Sequence, residues 1–204
     1  MAKSYDAIHI YGDEATTLWI RRKGTGNGEK PAGLAKPEAA TGFRDGGWLG
    51  EDGIDLEVSA DVSKFNAYQG GTIVKTRVTK TERTFKLQFL QEDDLTTEIF
   101  FDHSGVTKEG GVARYDIPKA IGYSEWEFLI DFVDGGKTKR LVTTASAGER
   151  GTVPHKSDDL TIYEVTFDMI GDAYVLTDDE TMLAAAGSSA GAGVGVENSP
   201  ASEG

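Results

Sequence analysis

Three runs of acidic residues are the first candidates for catalysis in this sequence: Asp93-Asp94, Asp158-Asp159 and Asp178-Asp179-Glu180. Glycoside hydrolysis uses two carboxyl groups in distinct environments on either side of a cleft. Adjacent acids beside predicted loops are more typical of helix caps and solvated surface. A hydrolase built from these scattered acids is therefore the least favoured interpretation, and we predict that the protein is not an enzyme.

The other residues that could do chemistry are sparse. His9, His103 and His155 lack metal-ligand spacing, although a fold could still bring two of them to a carboxylate. The glycine-rich run "GTGNG" (24–28) is not followed by the Lys-Ser/Thr pair of a phosphate-binding loop. The absence of cysteine excludes disulfides, thiolate ligands and cysteine nucleophiles. We expect ordinary polar histidines, no metal and no cofactor.

A cationic segment stands out because the whole chain has a formal net charge of −13. "IVKTRVTKTERTFKLQF" (73–89) has one acid, Glu82, and five bases, which we call the cationic ladder. It could be a nucleic-acid-binding face, a solvated strand face, or a surface that meets an acidic neighbour. Nucleic-acid-binding proteins usually have a basic domain with aromatic residues among the cations, whereas here Phe85 and Phe89 alternate with the cations and should lie on the opposite side. The ladder residues are Lys75, Arg77, Lys80, Arg83 and Lys86.

Alternation of apolar and polar residues predicts strands on both sides of the Gly70-Gly71 turn. In "DLEVSADVS" (55–63) every second residue is apolar, which predicts a half-buried strand, with a bulge or bend near Ser63-Lys64 where the phase slips. In the ladder the parity changes between 79 and 84. The segment "TKTERT" contains no Gly, Pro, Asn or Asp, so we favour one bent strand over a hairpin turn.

The second half of the chain also indicates a mainly β fold. Asp93 or Asp94 could cap a helix that continues towards Gly105. In "SEWEFLIDFVDGGKTKRLVTT" (124–144) the alternation and the Asp-Gly-Gly turn favour a β-hairpin, although Ser124 and Glu127 also match a helix capping box. "LTIYEVTFDMIG" (160–171) is the clearest strand.

The chain divides into a β-rich domain with polar extensions. Residues 1–16 form an N-terminal arm, and 17–176 form the domain, with a long loop at 24–42 that has almost nothing to bury. Residues 177–204 form a flexible, acidic, Gly/Ser/Ala-rich tail. We expect the arm, loop and tail to be mobile in a monomer and to become ordered on contact with a neighbour. No apolar run has signal-peptide or membrane-span character, so we expect a soluble protein made in the cytoplasm, with no membrane partner.

One long segment resembles a known family. "GWLGEDGIDLEVSADVSKFNAYQGGTIVKTRVTKTERTFKLQFLQED" (47–93) resembles the central part of major tail tube proteins of long-tailed (siphovirus-type) bacteriophages, most like those of actinobacterial phages. Its recognisable parts are "GWLGEDGI", the "AYQGG" turn, the Thr/Lys/Arg-rich strand and the acidic step into a helix. The resemblance extends through "LTIYEVTFDMIG", about two-thirds of the chain.

This resemblance implies a β-sandwich with one flanking α-helix, forming hexameric rings that stack into a hollow tube. A sheet from each subunit would join a β-barrel lining a channel for DNA during genome delivery. Net acidity repels phosphate, so the genome should pass without stable binding. The cationic ladder would then be a subunit interface. The implied partners are other copies and the tape measure, tail terminator and baseplate or tip proteins, in a virion tail assembled in the host cytoplasm.

The alternative is a β-sandwich binding module of a virion, specific for a carbohydrate or a receptor. Such a module usually exposes clustered aromatic residues on loops. Trp19, Trp48 and Trp126 lie in or beside predicted strands, which favours the tube subunit.

Overall fold

The computed structural model describes residues 5–68 and 70–189, and its regular structure is mainly β. Single turns of 3-10 helix lie at Tyr5–Ala7 and Ala39–Thr41. The strands and helices are β1 Thr17–Arg22, β2 Arg44–Asp45, β3 Asp55–Asn66, β4 Ile73–Phe89, α1 Asp94–Phe101, β5 Thr107–Glu109, β6 Val112–Arg114, β7 Glu125–Asp134, β8 Lys137–Arg150, β9 Tyr163–Thr177 and α2 Glu180–Ser189.

One antiparallel sheet contains seven of these strands in the order β2-β1-β7-β8-β9-β4-β3, and β5 and β6 form a separate hairpin. The large sheet curls over itself. Residues 44–49 connect the β1 side of the curled sheet to the β4 side. Arg44 pairs with Ile20 of β1, and Leu49 forms a bridge with Phe89 of β4. The prediction of a mainly β fold is confirmed, and the two facing layers of the expected sandwich belong to this single curled sheet.

The hydrophobic core lies inside the curl. Phe128 of β7 is 5.0 Å from Phe85 of β4 and 4.7 Å from Phe167 of β9, measured between ring centroids, although β7 neighbours neither strand. Helix α1 packs Leu95 and Ile99 against this core.

The expected cap of α1 is present. The Asp93 carboxylate accepts a hydrogen bond from the backbone N–H of Thr96 at 2.8 Å. Such a bond satisfies one of the free N–H groups in the first helical turn.

The 124–144 segment forms a β-hairpin, as the Asp-Gly-Gly turn predicted, and its first strand is buried on both faces. Trp126, Phe128 and Ile130 point into the core. Leu129, between them, joins a second cluster with Trp19, Phe43 and Val142 on the outer side of the sheet.

The long loop 24–42 is held by two buried arginines. Arg21 donates to the carbonyl oxygen of Thr41 at 2.6 Å, and Arg140 donates to the carbonyl oxygens of Gly33 and Ala35 at 2.8 Å each. The low content of apolar side chains predicted a mobile loop. The structure shows that this loop is hydrogen-bonded through its backbone carbonyl groups, and its mobility in a monomer stays a prediction.

Strands β3 and β4 form a long hairpin, of which only the base belongs to the body of the protein. β4 is one strand over Ile73–Phe89, as the bent-strand interpretation predicted. The pairing has two register shifts. Thr79 is the extra residue between the pairs Asp61–Lys80 and Val62–Val78, and Val74 is the extra residue between the pairs Phe65–Lys75 and Asn66–Ile73. Both extra residues are therefore in β4. The irregularities lie on either side of the expected position near Ser63-Lys64, but β3 itself has no extra residue there.

The prediction of a half-buried strand at 55–63 is also corrected. Leu56 is 49% exposed and Val58 is 66% exposed. β4 pairs with β9 only from Thr84 to Phe89, so the rest of the hairpin extends beyond the sheet. Its apolar face has no core of this chain to pack against.

The described parts of the chain ends make contacts that the sequence did not indicate. Arm residue His9 has its Nδ1 atom 3.3 Å from the Asp134 carboxylate, and Tyr11 packs on Phe132. The sequence predicted one helix, but a second, α2, occupies Glu180–Ser189 in the predicted tail. Residues 1–4 and 190–204, where other parts of the predicted arm and tail fall, lie outside the described residues. None of the described helices has the length and apolar character of a membrane span.

Candidate functional site

The acids and histidines considered as candidates for catalysis or metal binding have separate local roles in the structure. Asp93 caps α1, and the Asp179 carboxylate accepts from the backbone N–H of Thr181 at 2.9 Å at the start of α2. His103 is buried against Thr97 at 3.1 Å. Within residues 5–68 and 70–189, no group of three or more His, Asp or Glu side chains is arranged to hold a metal ion.

The cationic ladder is the main candidate site, and the structure places four of its five residues along one face of the β3–β4 hairpin. Directly opposite residues of antiparallel strands share a face. Lys75 lies opposite Phe65, Arg77 opposite Ser63, Lys80 opposite Asp61 and Lys86 opposite Asp55. Arg83 lies opposite Val58 on the other face and donates to the carbonyl oxygen of Gly171.

Three ladder residues have partners within the same chain. Lys80 forms an ion pair with Glu82, and the Lys86 Nζ atom lies 3.0 Å from the Glu164 carboxylate of β9. The hydrogen bond to Glu164 raises the pKa of Lys86. Hydrogen bonds from Gln88 and then from Lys86 lower the pKa of Glu164. These three residues, Lys80, Arg83 and Lys86, are therefore less available to a neighbouring molecule than the sequence suggested.

Lys75 and Arg77 are different, because neither has a hydrogen bond or ion pair with another described residue. Both are exposed, as is Lys64 of β3, which lies opposite Thr76 on the other face of the hairpin. Sequence inspection missed Lys64 because the ladder was defined from Ile73 onwards. A count of charged residues over 63–79 would have identified Lys64, since that stretch contains three bases and no acid.

The same hairpin exposes an apolar surface. Val62 and Val78 are cross-strand partners and are 49% and 57% exposed. Ile73 and Val74 near the tip are each at least half exposed, and Phe65, which is 51% exposed, adds an apolar side chain to the cationic face opposite Lys75. Exposed apolar residues that adjoin one another mark interaction sites in soluble proteins, so the hairpin combines an apolar contact surface with unpaired positive charge.

Comparison with known proteins gives one family match. The sequence profile of a family described as "Phage tail tube protein" matches residues 15–185. No curated protein matches the chain.

Among solved structures, the chain is similar to one in the "Cryo-EM structure of the anti-feeding prophage (AFP) baseplate, 6-fold symmetrised". The identity is 13% and the TM-score 0.45, and the match covers 86% of this chain and 97% of that chain.

Proposed function

The chain belongs to the phage tail tube protein family, structural components of the virion tail, and on that premise we propose that it is the repeating subunit of a siphovirus-type tail tube. Six copies form a ring, and rings stack around a channel that conducts DNA during genome delivery. The role is architectural, without catalysis.

The observation that carries this proposal is the exposed β3–β4 hairpin. An isolated two-stranded ribbon is marginally stable in water, and here the distal part exposes valines on a face with no core beneath it. β3 is also the last strand of the sheet, and an open strand edge pairs readily with another strand. Neighbouring copies in a ring would cover both the apolar face and the open edge.

The net charge supports the passage of DNA without retention. At −13 the chain repels phosphate overall, and Lys80 and Lys86 are neutralised by acids of the same chain. In this proposal the further partners are the tape measure, tail terminator and baseplate or tip proteins. Assembly takes place in the cytoplasm of the host, which we propose to be an actinobacterium.

Negative-stain microscopy of concentrated purified protein, with sedimentation velocity across a concentration series, tests the proposal. We expect rings with six subunits and hollow tubes above a critical concentration, and monomers below it. Particles that stay monomeric at every concentration would contradict a tube subunit.

A virion binding module is the second candidate, and Trp48 is the observation that favours it. Trp48 lies beside the bridge that Leu49 forms with Phe89, as expected, but its side chain is 65% exposed next to a cleft. Exposed aromatic residues in clefts are common in carbohydrate recognition. Binding of the monomer to a member of a glycan panel, with that binding lost in Trp48→Ala, would favour this function.

A further inference from the structure

A cleft lies at the base of the hairpin. It lies between the arm, residues 11–16, and the loop 48–54, with a volume of about 510 Å³. Its lining includes the acids Asp13, Glu14, Glu51 and Asp52 and the exposed ring of Trp48. No Lys, Arg or His is among the described residues that line it.

Two features of the cleft point to a missing partner. The hydroxyl group of Thr16 is buried in its wall without any hydrogen-bond partner, and a buried polar group normally has one. Neither Glu14 nor Glu51 has a hydrogen bond or ion pair with a described residue, and both are exposed. The cleft therefore offers unpaired acceptors beside an aromatic ring, a combination that suits a cationic segment.

The tip of the hairpin has the complementary chemistry. Residues 63–79 contain Lys64, Lys75 and Arg77 and no acid, and their exposed apolar residues include Phe65 and Tyr68. Arginine and lysine pair with carboxylates and also stack on tryptophan rings. Within the described residues, the three cations of the tip are unpaired.

The tip and the cleft are at opposite ends of the same two strands. The loop 48–54 leads directly into β3, and β3 continues for 12 residues before the turn. At about 3.3 Å per residue, the separation is about 35–40 Å. A contact between two different surfaces that face opposite ways along one axis repeats without closing, and so produces a filament.

We propose that the hairpin tip of each copy, residues 63–79, docks into the cleft of the next copy along the tube. Lys75 and Arg77 meet Glu14 and Glu51, and the apolar part of the tip packs on Trp48. This rests on the proposed function, since it assigns the axial contact of the same tube. The ladder then has two parts. The unpaired cations Lys75 and Arg77 contribute to stacking between rings, while Lys80, Arg83 and Lys86 bind partners within their own subunit.

Charge exchange tests this contact. In Lys75→Glu/Arg77→Glu and in Glu14→Lys/Glu51→Lys, like charges oppose each other at the contact, which should raise the critical concentration for tube formation by about tenfold or more. Combining all four substitutions in one chain restores opposite charges and should restore tubes. The matched control is Lys108→Glu/Lys156→Glu, which reverses two exposed cations outside both surfaces and should polymerise as the unmodified chain does.

The outcomes separate the two proposals. If the unmodified chain forms no tubes, the proposed function fails. If it forms tubes but either reversed variant polymerises at the original concentration, or the combined variant does not recover, the axial contact is wrong and the function stands. Thermal unfolding of each monomer checks that the exposed substitutions leave the fold intact.

The absence of cysteine allows an independent measurement on assembled tubes. Arg77→Cys/Glu51→Cys, treated with a flexible bis-maleimide after assembly, should give a ladder of linked multimers on a denaturing gel. Each single variant should give dimers at most. Tubes of the double variant that yield no ladder would overturn the contact.

Discussion

Two buried arginine–carboxylate pairs lie on the outer side of the sheet. Arg140 is 1% exposed and is hydrogen-bonded to both carboxylate oxygens of Asp131, at 2.6 and 2.7 Å. Arg21 similarly contacts Glu127 at 2.6 Å. A charge removed from water must have its polar atoms paired. The carbonyl groups of loop 24–42 complete that pairing, so the loop is part of the folded domain.

Removing one member of a buried pair should be costly. We expect Arg140→Ala to lower the free energy of unfolding by about 3–5 kcal/mol, because Asp131 is left as a buried charge without its partner. Urea unfolding of the monomer measures this. Amide exchange should also quicken at Gly33 and Ala35, whose carbonyl groups lose their donor.

The control for that prediction is Arg114→Ala. Arg114 forms an exposed pair with Asp116, and breaking an exposed pair should change stability by roughly 0–1 kcal/mol. Adding Asp131→Ala to Arg140→Ala should cost less than the sum of the two single losses. Equal, small effects of Arg140→Ala and Arg114→Ala would show that the buried pair does not anchor the loop.

Asp179 provides a prediction with a defined pH window. A hydrogen bond from the Thr181 hydroxyl, followed by the nearby Lys137 ammonium, lowers the pKa of Asp179 from 3.8 to about 2. A carboxyl group whose pKa is depressed by folding stabilises the fold above its unfolded pKa and loses that effect as the pH falls through the folded value. The first turn of α2 should therefore be stable above about pH 4 and should lose stability as the pH falls towards about 2.

The measurement is the amide chemical shift of Thr181 and Met182 during an acid titration, with Asp179→Asn as the control. Asparagine keeps a capping oxygen but does not titrate. The variant should therefore show no transition of α2 in this window. A transition of the same midpoint in the variant would assign the effect to another acid.

The β3–β4 hairpin has the clearest consequence at the element scale. Its distal residues, 57–66 and 73–82, make a two-stranded ribbon exposed to water on both faces. Amide exchange in a dilute monomer should be fast there and slow in β7 and in residues 163–167 of β9, which belong to the core. In assembled tubes the hairpin amides should become protected, while those of β5 and β6 change little. Strong protection of the hairpin in a proven monomer would contradict the exposed position.

The strands and their turns were largely predictable because alternation and turn residues are local signals. The parity change in 73–89 correctly indicated an irregularity within one strand, and Asp93 correctly indicated a helix cap. Burial was not predictable in the same way. The alternation of Leu56, Val58 and Val62 has the same pattern whether the apolar face meets the core of its own chain or a neighbour.

The site was predictable in its residue types but not in its pairing. The partner of Lys86 depends on Glu164, which is brought near only when β4 pairs with β9. The anchoring of loop 24–42 was also hidden, because its acceptors are backbone carbonyl groups that leave no mark in the sequence. The cleft escaped notice since its acids come from segments far apart, Asp13-Glu14 and Glu51-Asp52.

The distribution of charge matters at the scale of the whole molecule. The chain is strongly acidic, but its distal hairpin is basic. We expect no stable complex with duplex DNA at about 0.1 M salt, where only charges within about 10 Å of each other interact strongly. An electrophoretic mobility assay on monomers and tubes checks this. A shifted DNA band that is absent with Lys75→Ala/Arg77→Ala would instead identify the hairpin as a nucleic-acid-binding face.

If this chain is a tube subunit, neighbouring copies cover its β3–β4 hairpin. A cryo-EM reconstruction of tubes assembled from the purified chain tests it most directly. We predict stacked six-subunit rings, with the apolar face of β3–β4 buried between copies and each hairpin tip in the cleft between residues 11–16 and 48–54 of the next ring. Tubes in which the hairpins stand free in solvent, or a protein that never assembles, would contradict the account.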